Sequence, residues 1–390
     1  MRSMMMRCMR PALLAALVAA PAAAQQADSA ALVTVLGHDT LALERWVRTP
    51  TRVTAEAVVR SPRTTWRRYV LDLAPDGTMR RFEERVLDPA NTGGTPLRTD
   101  VYEAAEGGWT RTVVQGDSTV NSRVEASAQS LPWVDLVHWP FELVLMRARG
   151  GQGGEVPMLA GGRALAYTVA PAEGGGWTLT HPFRGPSTAR VDEQGRLLSL
   201  DAAGTTRKVI VTRVPWVELE GPAARWARAD REGRGMGELS GRGSEEATVA
   251  GARILVDYGQ PQRRGRDIFP AVVRWGEVWR TGANRATHFS TDRALVLGDP
   301  ASGTIEVPAG EYTLFSIPRE DGGWLIVNRQ TGQNGTAYDS AQDLGRVRMR
   351  RTILSEPVEV FTIRALPADG GGVLRLSWDT SEFSVPFRVR

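Results

Sequence analysis

Residues 52–79, RVTAEAVVRSPRTTWRRYVLDLAPDGTM, decide the fold class. Val53, Ala55, Ala57 and Val59 fall on one side of an extended chain, and Arg52, Thr54 and Glu56 on the other. Side chains alternate across a strand with period two, so this run describes a strand with one buried and one wet face. Tyr69, Leu71 and Leu73 repeat the pattern. Pro75-Asp76-Gly77 then supplies turn chemistry: a preset φ, a side chain that bonds its own backbone, and a residue free to take positive φ. Strand, turn and renewed alternation make an antiparallel sheet.

The same signal recurs at 79–87, 108–114, 165–169, 177–180, 196–200 and 208–214, which predicts an antiparallel meander with one wet face. The exception is 130–150. Ser130 can cap, and Trp133, Leu136, Val137, Phe141, Val144 and Leu145 recur at helical spacing, with Pro140 expected to kink the helix and Gly150 to end it. This helical segment, about 130–149, is expected to plug the core of a curved sheet rather than line a ligand cavity. From Gly221 to Glu246 the chain turns polar and glycine-rich and loses strand periodicity. Residues 218–246 therefore read as a linker between an N-terminal β-rich domain, 27–217, and a C-terminal domain, 247–390. In the latter, Ile254/Val256/Tyr258, Ile305/Val307, Phe361/Ile363/Ala365 and Leu374/Leu376/Trp378 mark further strands without a long helix. The expectation is a mainly β chain of two antiparallel domains, the second a β-sandwich or jelly-roll-like unit.

The N-terminus reads as a secretory signal over 1–24. Arg2, Arg7 and Arg10 precede a short apolar run, 11–20, and Ala22-Ala23-Ala24 supplies small residues before a mature start at Gln25. The run is well short of the roughly 20 apolar residues that span a bilayer, and no later segment is longer. The expected location is periplasmic or secreted, with no transmembrane segment after cleavage. Cleavage would remove Cys8, the only cysteine, and with it any thiol, disulfide or cysteine metal ligand. It would also leave 45 basic side chains against 44 acidic ones, from 48 against 44 in the full chain. An isoelectric point near 9.6 thus overstates the basic character. The arginines alternate with acids instead of forming a continuous footprint, which argues against nucleic acid as a partner.

Motifs for common catalytic chemistries are missing from the sequence. There is no Gly-x-Ser-x-Gly elbow, and Gly116-Asp117-Ser118 is ordinary turn chemistry between two strands. His38, His138, His181 and His288 are scattered, with no ligand-pair spacing, so neither a metal nor another cofactor is expected.

The C-terminal region resembles the bacterial family known as domain of unknown function 2911. The matching text runs in order: Tyr258-Gly259-Gln260-Pro261, Gly265-Arg266-Asp267-Ile268-Phe269, and Gly276-Glu277-Val278-Trp279-Arg280-Thr281-Gly282-Ala283-Asn284-Arg285-Ala286-Thr287. Pro308-Ala309-Gly310-Glu311-Tyr312-Thr313-Leu314-Phe315 and Val327-Asn328-Arg329-Gln330-Thr331-Gly332-Gln333 complete it. The likeness covers roughly residues 236–390. Where this family usually carries Trp before Gly, this chain has Asn334. The family has no established activity, so the resemblance implies no reaction.

One constellation in these motifs supports a ligand site. Trp279, Arg280, Thr281 and Asn284 place a ring, a guanidinium, a hydroxyl and an amide around the flexible Gly282. That mixture suits a carbohydrate or another polyhydroxylated or anionic small molecule. Arg266, Asn328 and Tyr338 come from other matching segments and are expected at the same cleft. The competing reading has Arg280 and Asn284 satisfying loop carbonyls while Trp279 fills the core. The leading expectation is a non-catalytic binding or accessory protein of the cell envelope. The alternatives are a secreted hydrolase using Asp257, Asp267 or Glu277 on a carbohydrate-type substrate, and a structural envelope component.

Overall fold

The computed structural model describes residues 28–151 and 153–390. The expected signal at 1–24, with Cys8 and the start at Gln25, lies outside the described residues. The protein is mainly β, as the alternation predicts. Arg52–Val59 and Thr65–Leu73 are antiparallel neighbours with Val53 opposite Leu71 and Ala55 opposite Tyr69. All four side chains are buried, so the cross-strand pairs line one inner face. In the next turn Gly77 has a φ of 81°, and Thr78 N donates to Asp76 Oδ1 at 2.9 Å. That turn delivers the chain into Met79–Leu87.

Fifteen strands form one sheet. One arm runs in sequence order from Asp28–Leu36 out to Ser118–Val124, and the other from Leu131–Pro132 to Ile210–Val214. The arms join where Asp28–Leu36 pairs antiparallel with Ile210–Val214. Among the described residues the one parallel pairing in this sheet is short, Leu131–Pro132 against Gly154–Ala160.

Both arms share their core with helix α1, Trp139–Gly151. Trp139, Phe141, Val144, Leu145 and Ala148 are buried in it. The helix is shorter than the expected 130–149. Pro140 lies in its first turn, where a missing N–H breaks no bond, so it starts the helix instead of kinking it. Ser130 donates to Ser127 O and plays no part in capping.

Two buried carboxylates fasten α1 to the sheet. Glu44, fully buried, accepts from His138 N at 2.8 Å and Trp139 N at 3.0 Å, satisfying donors that a helix start leaves unpaired. Its other oxygen lies 3.3 Å from His138 Nδ1, and Thr34 Oγ1 is 3.1 Å from the same nitrogen. Glu142, on the helix, accepts from Arg213 Nη1 at 2.6 Å and Leu197 N at 3.1 Å, both in the second arm. Glu44 thus ties α1 to the first arm and Glu142 ties it to the second.

Residues 218–246, expected as a linker, contain helix α2, Glu220–Arg231, and the first part of strand Ser240–Val249. Leu219, Ala223 and Trp226 sit on the outer face of the first arm, against Leu43, Val58, Trp66 and Leu87. Asp230 accepts from Thr64 N at 2.6 Å, and the Arg60 guanidinium lies 4.8 Å from the Trp226 ring. The many charged residues and Gly221-Pro222 hid an apolar stripe at 219, 223, 226 and 227, which is helical spacing.

The C-terminal region is built from a six-stranded and a four-stranded antiparallel sheet. Ile254, Val256, Phe289, Leu314 and Val327 of the first share one core with Leu297, Phe361, Ile363, Leu376 and Trp378 of the second. This is the expected sandwich. Tyr258 joins the sheets, its hydroxyl accepting from Ile363 N at 3.0 Å.

The capping role of Glu44 makes a test. Glu44→Ala leaves two buried N–H groups unpaired and is expected to cost about 2–4 kcal/mol in urea unfolding. Glu44→Gln keeps an acceptor oxygen and should lose less.

Candidate functional site

The long connection 262–286 carries most of the candidate residues, and the backbone explains its course. Gly259 lies directly beneath it: a Cβ there would stand 1.8 Å from Ala283 O. Only glycine permits that approach, which accounts for the glycine of the Tyr258–Pro261 motif. Trp279 and the strand Gly310–Arg319 exchange two bonds, Trp279 N to Ser316 O at 2.7 Å and Ser316 N to Trp279 O at 2.9 Å. Thr281 and Asn284 both adopt left-handed backbone, with φ of 52° and 62°.

Arg266, Trp279, Arg280 and Asn284 line one cleft of about 320 Å³ that is partly open to solvent. Trp279 forms a wall of this cleft. Its ring stacks 5.9 Å from Trp378 and meets Phe361 edge-on at 5.0 Å. Trp378 also lines the cleft, and its buried indole N–H has no hydrogen-bond partner among the described residues. Arg266 is half committed to its own loop, donating to Arg263 O at 2.9 Å and Gln262 O at 2.6 Å. Arg280 is half-buried, and its guanidinium has neither a hydrogen bond nor an ion pair among the described residues. Burial pulls its pKa below the usual arginine range. Its aliphatic stem crosses Gly335, where a Cβ would stand 2.7 Å from Arg280 Cδ.

The other three candidates lie elsewhere and are consumed by the fold. Thr281 is fully buried; its hydroxyl donates to Ser316 Oγ at 2.9 Å, and its carbonyl accepts from Thr287 Oγ1 at 2.7 Å. Asn328 is fully buried, donating to Asp339 O and Asp343 Oδ1 and accepting from Gln330 N. Tyr338 donates to Asp343 Oδ2 at 2.8 Å and packs on Phe315. Their side-chain bonds are made within the protein.

The opposite wall of the cleft comes from the N-terminal sheet. Arg184, Arg207 and Lys208 line it, contributed by connections far from the C-terminal motifs in sequence. Arg184 and Arg207 share one carboxylate, Asp135, with Arg184 Nη1 2.7 Å from Asp135 Oδ1. Lys208, the only lysine of the chain, has a φ of 55° and donates to Ala203 O at 2.9 Å. Burial lowers its pKa, and the charges of Arg266, Arg274 and Arg280 lower it further. Nothing in the sequence reading singled out this wall, although its sole lysine is a feature that could have drawn attention to it.

The carboxylates considered for hydrolysis do not meet here. Asp257 is gripped by Arg242 through bonds of 2.7 and 2.6 Å and faces a neighbouring depression. Asp267 and Glu277 are exposed, do not line the cleft, and Glu277 pairs with Arg274 at 3.5 Å. Among the described residues no group of three metal-ligating side chains gathers. No helix among them is long and apolar enough to cross a membrane.

Residues 240–387 match the family described as "Protein of unknown function (DUF2911)". The resemblance read from the motifs therefore stands for the C-terminal region. No family match falls in the N-terminal region. No curated protein matches the chain. Among solved structures the chain is similar to one described as "Crystal Structure of Beta-barrel-like Protein of Domain of Unknown Function DUF1849 from Brucella abortus". That likeness is 11% identical, covers 48% of this chain and 94% of the other, and has a TM-score of 0.32.

Behind the cleft, His181 gives the N-terminal sheet a pH signature. Trp133, Tyr167 and Phe183 surround its ring, and its Nδ1 accepts from Phe183 N at 3.0 Å. Burial, reinforced by the nearby charge of Arg184, pushes its pKa down to about 4. The unfolded chain, with an imidazole near 6.5, binds the proton first. Its contribution is therefore complete above pH of about 6.5 and is lost as pH falls to about 4, on the order of 3 kcal/mol in all. His181→Gln should flatten that part of the slope when unfolding free energies at pH of about 7 and about 4.5 are compared.

Proposed function

We propose that this chain is an exported, non-catalytic binding protein that holds a small molecule in the cleft between its DUF2911 region and its N-terminal sheet. The observation that carries this reading is Arg280. A half-withdrawn guanidinium without a partner is costly to keep, because charge leaving water needs compensation. Every other polar candidate of the DUF2911 motifs that went into the interior is paired there. Arg280 instead faces a cavity of ligand size, beside the rings of Trp279 and Trp378 and the rim residue Asn284. Such a mixture of apolar wall and a few convergent polar groups is what small-molecule sites use.

The clamped Asp257 and the exposed Asp267 and Glu277 weigh against the hydrolase alternative, since an acid–base pair must converge on one bond. The export half of the proposal rests on the positive, apolar and small-residue segments of the N-terminus. N-terminal sequencing of protein recovered from the extracytoplasmic fraction should begin at Gln25.

A thermal-shift screen with a ligand library should find stabilising compounds for the full chain. Arg280→Ala should abolish that shift. The same substitution should leave unliganded stability within about 1 kcal/mol, because it deletes no protein–protein hydrogen bond. A library without hits, or an Arg280→Ala protein that only loses stability, would sink the proposal. Turnover of any substrate that Asp257→Asn or Glu277→Gln abolishes in a folded protein would favour the hydrolase.

A further inference from the structure

The charge of the cleft narrows the chemistry of its occupant. Three cations on its walls have no carboxylate partner among the described residues: Lys208, Arg266 and Arg280. Arg184 and Arg207 share Asp135, so that trio adds one further positive charge. Against these stands one lining acid, Glu238, which is exposed at the rim. Four uncompensated positive charges less one negative leave the cleft at about +3 in a chain whose overall charge is close to neutral. The buried or half-buried groups of the lining that lack a partner among the described residues point one way chemically, while the amides of Gln262 and Asn284 can donate or accept. The indole N–H of Trp378, the Nε of Arg207 and the guanidinium of Arg280 are donors. A neutral sugar presents donors and acceptors together; a carboxylate or phosphate presents acceptors alone and matches those three donors.

We infer that the occupant is a small multianion, one molecule carrying two or three carboxylate or phosphate groups, held jointly by cations from both halves of the chain. This rests on the binding role proposed above and adds the ligand's class and the part the N-terminal sheet plays in holding it. A cavity of about 320 Å³ suits a molecule of that kind and excludes a long polyanion from full enclosure. Burial lowers the basicity of both Lys208 and Arg280, and for Lys208 the charges of Arg266, Arg274 and Arg280 lower it further, a repulsion that an anion would relieve. Arginine forks give bidentate contact with either oxyanion, while Lys208 acts as a compact point charge.

The test is titration calorimetry of the full chain without its signal, with four probes: citrate, fructose 1,6-bisphosphate, inorganic phosphate and the neutral disaccharide maltose. Citrate or the bisphosphate should bind at least about tenfold more tightly than inorganic phosphate, since a second charged contact contributes that much. Binding should weaken as salt rises from about 50 to about 500 mM. Which of the two multianions binds more tightly assigns the oxyanion. Lys208→Asn removes the charge with a residue that tolerates left-handed backbone, and should weaken the better probe by about tenfold. Lys208→Arg should restore part of the loss, and an unchanged melting temperature verifies the fold of both.

Maltose binding without salt dependence, lost in Arg280→Ala, would overturn the multianion inference while leaving the binding role standing. Multianion binding that Arg280→Ala removes and Lys208→Asn does not would overturn the joint role of the two halves. Failure of all four probes, alongside a library screen that finds a neutral ligand, overturns the inference alone. Failure of the probes and the library together overturns both.

Discussion

Arg264 fixes the two halves of this protein against each other. It comes from the sandwich side, is only 4% exposed, and donates to Asp39 Oδ2 of the N-terminal sheet at 2.6 Å. A charge that deep is tolerable while its counter-ion stays in place, and separating the halves would undo that pairing. The surrounding backbone is shaped for the contact. His38 N donates to Arg264 O at 3.1 Å. A Cβ on Gly37 would meet that carbonyl at 2.0 Å, and one on Gly265 would meet His38 Nδ1 at 2.4 Å. Two glycines thus let a turn and a loop touch backbone to backbone. On the sandwich side Glu359 accepts from Arg264 N at 2.8 Å, and Arg263 pairs with Asp379 at 2.8 Å, which carries the anchorage into the core hairpin.

The cleft exists because that anchor is narrow. Each half completes its own apolar core, so little hydrophobic surface remains to draw them together along their whole length. Beside the anchor the facing loops stay apart, and both are lined with cations. Five like charges around one space would repel loops free to move. Four of the five are held in place, Arg266 by two carbonyls, Lys208 by another, and Arg184 and Arg207 by Asp135, while Arg280 has no such partner among the described residues. A ligand entering the cleft, as proposed above, would meet charges already in place, and its binding would cost little reorganisation.

How far the sequence revealed this depended on the range of the interaction. Period-two alternation is local, and it located Met79–Leu87 and its neighbours closely. The helix α1 was legible as a helix but not in extent, because its start is set by Glu44, a capping residue about a hundred positions away. Helix α2 was hidden by composition, its few apolar residues diluted by charge and by Gly221-Pro222. The C-terminal half of the cleft was visible because one loop carries Trp279, Arg280 and Asn284 in a row. Its N-terminal half was not. Arg184, Arg207 and Lys208 acquire meaning only when Arg264 brings their loops opposite Arg280.

The seven candidate residues also show what separates a fold-determining polar residue from an available one. Thr281, Asn328 and Tyr338 looked as functional as Arg280 in the sequence, yet each spends its polar atoms on neighbouring loops and strands. Saturation separates these candidates: one whose polar bonds are all made within the protein holds a loop, and one that faces the cleft with bonds unmade has donors to spare. The departure at Asn334 follows the same logic. Its Oδ1 accepts from Thr336 N and Oγ1, closing a local turn at an exposed position outside the cleft lining. What the cleft needs from this segment is the next residue, Gly335, whose bare Cα gives the Arg280 stem room to pass. Replacing a ring by Asn334 leaves that passage open, and so leaves the guanidinium where both halves of the protein can use it.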